Sequence, residues 1–164
     1  MKILVFSDSH GNSKPMYDII KSLYDEIQLV LFLGDCVEDF EDLGYIYPEK
    51  NFLHVSGNCD FNRDAPNERI LDVGNKKILM SHGHRYRVKS GYGKIMDAAQ
   101  ELGADICLYG HSHTPHIVFE RGIHLMNPGS ISQPRGVEYP SYGVINIEGE
   151  KVEMTIVEVG IDGI

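Results

Sequence analysis

Apolar residues fall along this chain in two distinct patterns. Ile3 to Phe6 and Leu29 to Leu33 are continuous apolar runs bounded by Ser, Asp and Gly, as expected of strands buried on both faces. Between them Met16, Ile19, Ile20, Leu23 and Ile27 recur at helical spacing, with Asn12, Ser13 and Pro15 as start signals. Strand, helix and strand in that order predict parallel pairing with a right-handed crossover. Phe52 to Val55, Lys77 to Met80 and Asp105 to Tyr109 read as further strands. Ile95, Ala98, Ala99 and Leu102 predict a helix over about Tyr92 to Leu102, closed by Gly103. After Pro115 the pattern changes: Ile117–Glu120 and Ile123–Met126 flank Arg121-Gly122, and Ser141–Ile147 and Val152–Val159 flank Glu148-Gly149-Glu150. Both read as hairpins. The first part is therefore α/β and the last mostly antiparallel β, which two face-to-face sheets with helices outside would accommodate.

Polar residues at the ends of the predicted strands carry the chemistry. They are Asp8-Ser9-His10, Gly34-Asp35, Gly57-Asn58-Cys59-Asp60, Ser81-His82-Gly83 and Gly110-His111-Ser112-His113. In extended backbone residues i and i+2 point the same way, so Asp8 and His10 can reach one ion, and His111 and His113 repeat that spacing. Each motif alone has an ordinary explanation, as a turn, a helix cap or a satisfied buried histidine. Five together at strand ends, where ligands gather in open α/β sheets, do not. Carboxylate, imidazole and carboxamide suit Mn, Fe, Ni, Co or Zn. Asp8, His10, Asp35, Asn58, His82, His111 and His113 are too many for one tetrahedral ion. They suffice for two divalent ions sharing a carboxylate, the arrangement that hydrolyses phosphate esters.

Composition narrows the choice. A length of 164 residues fits one unit, 1–164, and 42% hydrophobic with 24% charged residues is ordinary for a globular protein. No apolar run approaches the ~20 residues of a membrane helix. The first residues are too short for a signal peptide, and Cys36, Cys59 and Cys107 cannot all pair within one chain, so a reduced, cytoplasmic setting is expected. A net charge of −9 disfavours long nucleic acid. Two ions bring about +4 against the −2 of Asp8 and Asp35, leaving a positive pocket that favours a small phosphorylated substrate. Homo-oligomerisation is left open.

The pattern Asp8-x-His10, Gly34-Asp35-x-x-Glu38, Gly57-Asn58-Cys59-Asp60, His82-Gly83 and Gly110-His111-x-His113 resembles the calcineurin-like metallophosphoesterases. The run Asn127-Pro128-Gly129-Ser130 through Pro134-Arg135 is similar to their small phosphodiesterase branch. The resemblance implies a four-layer αββα sandwich of two mixed sheets flanked by helices, with a binuclear centre in which Mn is the favoured metal. It assigns Asp8, His10, Asp35 and His113 to one ion and Asp35, Asn58, His82 and His111 to the other, Asp35 bridging. A water shared by such ions attacks phosphorus, and no protein nucleophile is needed. Asn58, Cys59, Asp60 and His82 become the candidate catalytic residues. Many relatives carry His after the Asn to protonate the leaving oxygen; here Cys59, with an ordinary pKa of ~8.5, is a poorer acid, and Asp60 has no His to orient.

Arg85 and Arg135 are the candidate substrate-gripping cations, Arg85 sharing a Gly-flanked loop with Arg87 and Lys89. His84 and His116 are expected beside the site, His54 and His124 in structural positions. Pro115 stands where a metallo-β-lactamase needs Asp, and His10 where a haloacid-dehalogenase phosphatase needs its second Asp. The competing class is a non-catalytic interaction scaffold such as the retromer subunit that shares the fold. An intact set of seven ligands argues against it.

Overall fold

The computed structural model describes residues 1–61 and 64–160; the last residues of the expected 1–164 unit lie outside them. Its elements are β1 (Lys2–Phe6), α1 (Lys14–Ser22), β2 (Leu29–Phe32), α2 (Val37–Ile46), β3 (Asn51–His54), β4 (Glu68–Val73), β5 (Lys76–Ser81), α3 (Gly93–Glu101), β6 (Ile106–Tyr109), β7 (His116–Glu120), β8 (Ile123–Asn127), β9 (Ser141–Glu148) and β10 (Lys151–Glu158). Two single 3₁₀ turns, His84–Tyr86 and Val88–Ser90, lie between β5 and α3.

The strands form two five-stranded mixed sheets, ordered β10-β9-β1-β2-β3 and β4-β5-β6-β8-β7. Alternation along each buried strand explains the layering. Ile3, Val5, Leu29 and Leu31 face one way and meet Ile78, Met80, Ile106 and Leu108 of the other sheet. Leu4, Phe6, Val30 and Phe32 face outward onto Met16, Ile19, Ile20, Val37, Phe40 and Leu43 of α1 and α2. Leu79, Cys107 and Leu125 turn from the second sheet onto Ile95, Met96 and Ala99 of α3. Helices, sheet, sheet and helix are thus stacked, the two-face burial that makes parallel strands continuously apolar.

Two elements were not anticipated: α2 and β4. The C-terminal hairpins pair antiparallel as expected, but β7–β8 joins the second sheet and β9–β10 the first. β8 also runs parallel to β6, so the last third is less purely antiparallel than its pattern suggested. Among the described residues, no helix is long and apolar enough to cross a membrane.

Candidate metal centre

The parallel strands β1, β2 and β3, with β5 and β6 of the facing sheet, deliver their carboxyl ends to one edge of the sandwich. The loops leaving them carry Asp8 and His10, Asp35, Asn58, His82, and His111 with His113. The backbone there is not extended. Asp8, His10, Asp35, His111 and His113 have φ of 57°, 45°, 64°, 65° and 60°, a left-handed conformation that costs a non-glycine residue about 1–3 kcal/mol. Residues i and i+2 therefore need not share a face, and His111 and His113 turn into different clusters. Surrounding hydrogen bonds fix these turns. The Asp8 N–H donates to Gly34 O at 3.0 Å, and the Ser130 and Ser132 hydroxyls donate to Asp8 O at 2.7 and 3.2 Å.

Two groups of potential ligands result, Asp8–His10–Asp35–His113 and Asp35–His82–His111, each with its ligand atoms within 4.8 Å of one another. Asp35 belongs to both. Asn58 approaches the second group, its Oδ1 3.2 Å from His82 Nε2.

Imidazole orientation is set from behind. His82 Nδ1 donates to Leu33 O and His113 Nδ1 to Gln133 O, both at 2.7 Å, which directs each Nε2 lone pair into the site. There His82 Nε2 lies 3.1 Å from His111 Nδ1. His113 Nε2 lies 3.1 Å from both His10 Nε2 and Asp8 Oδ1. Acceptors so close repel unless a cation or proton lies between them. Asp8 Oδ1 is also buried and accepts no hydrogen bond among the described residues, while Oδ2 accepts from Ser7 Oγ and from the His111 N–H. An orphaned carboxylate oxygen among inward-facing imidazoles fits a divalent cation.

The electrostatics of the ligand side chains agree. Burial, with His82 and Lys89 nearby, pushes His111 down to about 4 and keeps its lone pair free at neutral pH. Burial acts to raise Asp8, but the close His113 and His82 imidazoles and the Ser7 hydroxyl outweigh it and lower its pKa. Burial acts to lower His113, but Asp8 overrides it and raises its pKa. Positive charge is favoured between that pair.

Asp60 and Cys59 are both tied to the Asp35 turn. The Asp60 carboxylate accepts the N–H groups of Asp35, Cys36 and Val37, each at 2.8 Å, and of Gly57 at 2.7 Å. It thereby caps α2 and holds the Asp35 turn, with all its directed acceptor capacity engaged. The Cys59 thiol is pushed up to about 11 by burial and the adjacent Asp35, far from the range of an efficient proton donor. Its backbone N–H donates to Asp35 Oδ1 at 2.9 Å.

Two glycines are required by close approach. A Cβ on Gly57 would stand 2.2 Å from Asp35 Oδ1, and one on Gly110 would stand 2.0 Å from Ser7 Oγ and 2.9 Å from Asp8 Oδ2. Sequence reasoning missed Ser7 and gave Asn127 no task, though Asn127 heads a run it had marked. Its amide donates to Gly110 O and Ser112 Oγ, both at 2.9 Å, bracing the loop that carries His111 and His113.

The outlying candidates sort by position. His84 packs its ring against His82 and His111 at centroid distances of 5.4 and 6.1 Å. His116 packs on Tyr92 farther out. His54 pairs with Glu41 at 3.7 Å and His124 packs at a tilt on Phe119, both away from the clusters. Arg135 reaches the site through its backbone, its N–H donating to His113 O at 3.1 Å. Arg85 is exposed on the first 3₁₀ turn and does not line the cavity beside the clusters, whereas Lys89 and Arg135 do.

Fold and site together define a sandwich with a double His/Asp cluster at its carboxyl edge, and comparison with known proteins gives this class its name. Residues 1–150 match the calcineurin-like phosphoesterase superfamily domain. The chain belongs to that superfamily. It is 36% identical over 151 residues to the probable metallophosphoesterase YsnB of Bacillus subtilis, covering 92% of this chain and 86% of that one. It is 28% identical over 172 residues to the phosphodiesterase YfcE of Escherichia coli, covering 89% and 88%. A predicted phosphoesterase of Streptococcus pneumoniae superposes with a TM-score of 0.81 at 31% identity, over 96% of this chain and 88% of that one.

Proposed function

We propose that this protein is a phosphodiesterase that hydrolyses a small phosphate ester at a centre of two divalent metal ions, Mn favoured, with Ni, Fe, Co or Zn as alternatives. The observation that carries this reading is the pair of ligand clusters sharing Asp35. Asp8, His10, Asp35 and His113 would hold one ion, and Asp35, Asn58, His82 and His111 the other. Ions held there would supply an attacking oxygen at neutral pH and stabilise charge developing at phosphorus.

The chain's own groups make that centre rigid and basic. Leu33 and Gln133 carbonyls fix the tautomers of His82 and His113 and make their Nε2 atoms better donors to a metal. Asp60 fixes the turn that presents Asp35 to both sites. Asn58 would contribute a neutral oxygen, so an ion in the second group would be less fully neutralised than one in the first. With a thiol at Cys59, a poorer proton donor than an imidazolium, the leaving oxygen receives little help from a side-chain acid. Esters with acidic leaving groups should therefore be preferred. The branch relatives, YfcE named a phosphodiesterase, support diester over monoester chemistry. In this reading the chain is one unit working in a reducing cytoplasm, its cysteines free.

A non-catalytic scaffold would have no need to maintain five strained left-handed residues and two glycines fitted against Ser7, Asp8 and Asp35. The test is turnover of bis-p-nitrophenyl phosphate by chelated protein restored with Mn. Metal-dependent turnover is expected. None with Mn, Ni, Co, Fe or Zn would leave the scaffold reading.

A further inference from the structure

Beside the two clusters lies a cavity of about 500 Å³ lined by Lys89, Tyr92, Tyr109, Ser112, His116 and Arg135, with others. Its size is in the range of small-molecule pockets. It adjoins the site through Ser112, which separates His111 from His113. The Arg135 backbone is pinned on both sides, its N–H donating to His113 O and its carbonyl accepting from Thr114 Oγ1, each at 3.1 Å. The His116 ring lies against Tyr92 with centroids 5.2 Å apart and planes at 31°. Among the described residues, neither Lys89 nor Arg135 is in an ion pair. The segment from Ser81 to Met96 carries Arg85, Arg87, Lys89 and Lys94 and no carboxylate, in a chain of net charge −9.

Unpaired cations on an acidic protein favour an anion, and flat rings favour a planar one to stack on. The ester phosphate belongs at the His/Asp clusters, so the anion drawn by Lys89 and Arg135 is a second one. From this cavity we infer that the substrate is a nucleotide-containing phosphodiester. One of its arms places a heterocyclic base against Tyr92 and His116 and a further phosphate against Lys89 and Arg135. The inference rests on the phosphodiesterase reading and names the substrate class of that site.

The test uses Mn-loaded full-length protein hydrolysing bis-p-nitrophenyl phosphate, with inorganic phosphate, thymidine 5′-phosphate and thymidine 3′,5′-bisphosphate as competing inhibitors. These products probe the pocket whichever arm leaves. The bisphosphate should inhibit at a concentration ~10–100-fold below thymidine 5′-phosphate, since a hydrogen bond to a charged group contributes roughly 1.5–3 kcal/mol. Thymidine 5′-phosphate should in turn inhibit about 5–10-fold better than inorganic phosphate through ring stacking. Lys89→Ala and Arg135→Ala, both at exposed positions, should each shrink the first ratio about 10-fold, and Tyr92→Ala should shrink the second. Active enzyme that binds all three inhibitors alike overturns the inference and leaves the phosphodiesterase reading standing. Selectivity untouched by the Lys89→Ala/Arg135→Ala double variant also overturns it. Absence of metal-dependent turnover overturns both.

Discussion

Asp60→Asn separates a structural role for this carboxylate from a catalytic one. In the native chain one oxygen accepts the N–H groups of Cys36 and Val37 and the other those of Asp35 and Gly57. Asparagine keeps one oxygen and replaces the other by an NH₂ group that points donors at donors. Two hydrogen bonds to a charged acceptor are lost, each contributing roughly 1.5–3 kcal/mol. Asp60 is half-buried, so water recovers part of this and the net loss should be about 2–4 kcal/mol. The loss falls where Asp35 and Cys36 hold consecutive left-handed φ of 64° and 76°, and relaxation there turns the Asp35 carboxylate away from its position between the clusters. The assay is urea unfolding of chelated protein, followed by Mn titration calorimetry on the same samples. The midpoint should drop, by an amount equivalent to roughly 5–15 °C in Tm for a chain of this size, and Mn should bind more weakly. An unchanged midpoint and unchanged Mn affinity with lost turnover would refute the reasoning and return Asp60 to the proton-transfer chemistry.

Asp35→Asn removes the charge shared by both clusters; at least one Mn per chain should be lost and turnover should fall by orders of magnitude while far-UV circular dichroism is unchanged. A series of phosphodiesters of graded leaving-group pKa should show a steep fall in rate from nitrophenyl to alkyl esters, and Cys59→His should flatten it most for alkyl esters, by as much as the ~10²–10⁴-fold of a general acid. The metal-free protein should lose stability on acidification. His111 at about 4, and His54, His84 and His124, all lowered first by burial, bind fewer protons folded than unfolded below pH 6.5, so stability falls as pH drops through that window. His113, raised, acts in the opposite sense. Allowing for solvent screening, His111 contributes on the order of 1 kcal/mol between pH 7 and 5, read as a lower urea midpoint at pH 5.

The buried parallel strands were legible because strands covered on both faces are apolar throughout: β1, β2 and β6 stand out as uninterrupted runs. The site was legible because metal-binding side chains recur where those runs end. α2 was not, because its N-cap residue, Cys36, makes no side-chain cap and the cap is supplied by Asp60, 23 residues beyond Val37. β4 was not, because its residues alternate between half-buried and exposed along Glu68–Asp72, as on a sheet edge, and include Glu68, Arg69 and Asp72. The sheet each hairpin joins is decided by long-range pairing, β9 on β1 and β8 on β6, which local alternation cannot encode. The left-handed ligand turns escaped for a similar reason: aspartate and histidine adopt positive φ at a cost, and the hydrogen bonds that sustain it come from Ser130 and Ser132, more than 120 residues from Asp8. Lys89 was passed over in favour of Arg85 because nothing in the sequence tells which side of a 3₁₀ turn faces the cavity.

Anomalous scattering from Mn-loaded crystals tests the central claim most directly. Data at the Mn edge should show two peaks per chain, one among Asp8, His10, Asp35 and His113 and the other among Asp35, Asn58, His82 and His111, with the Asp35 carboxylate between them. A single peak at saturating Mn in fully active enzyme, or two peaks that do not share Asp35, would contradict the account.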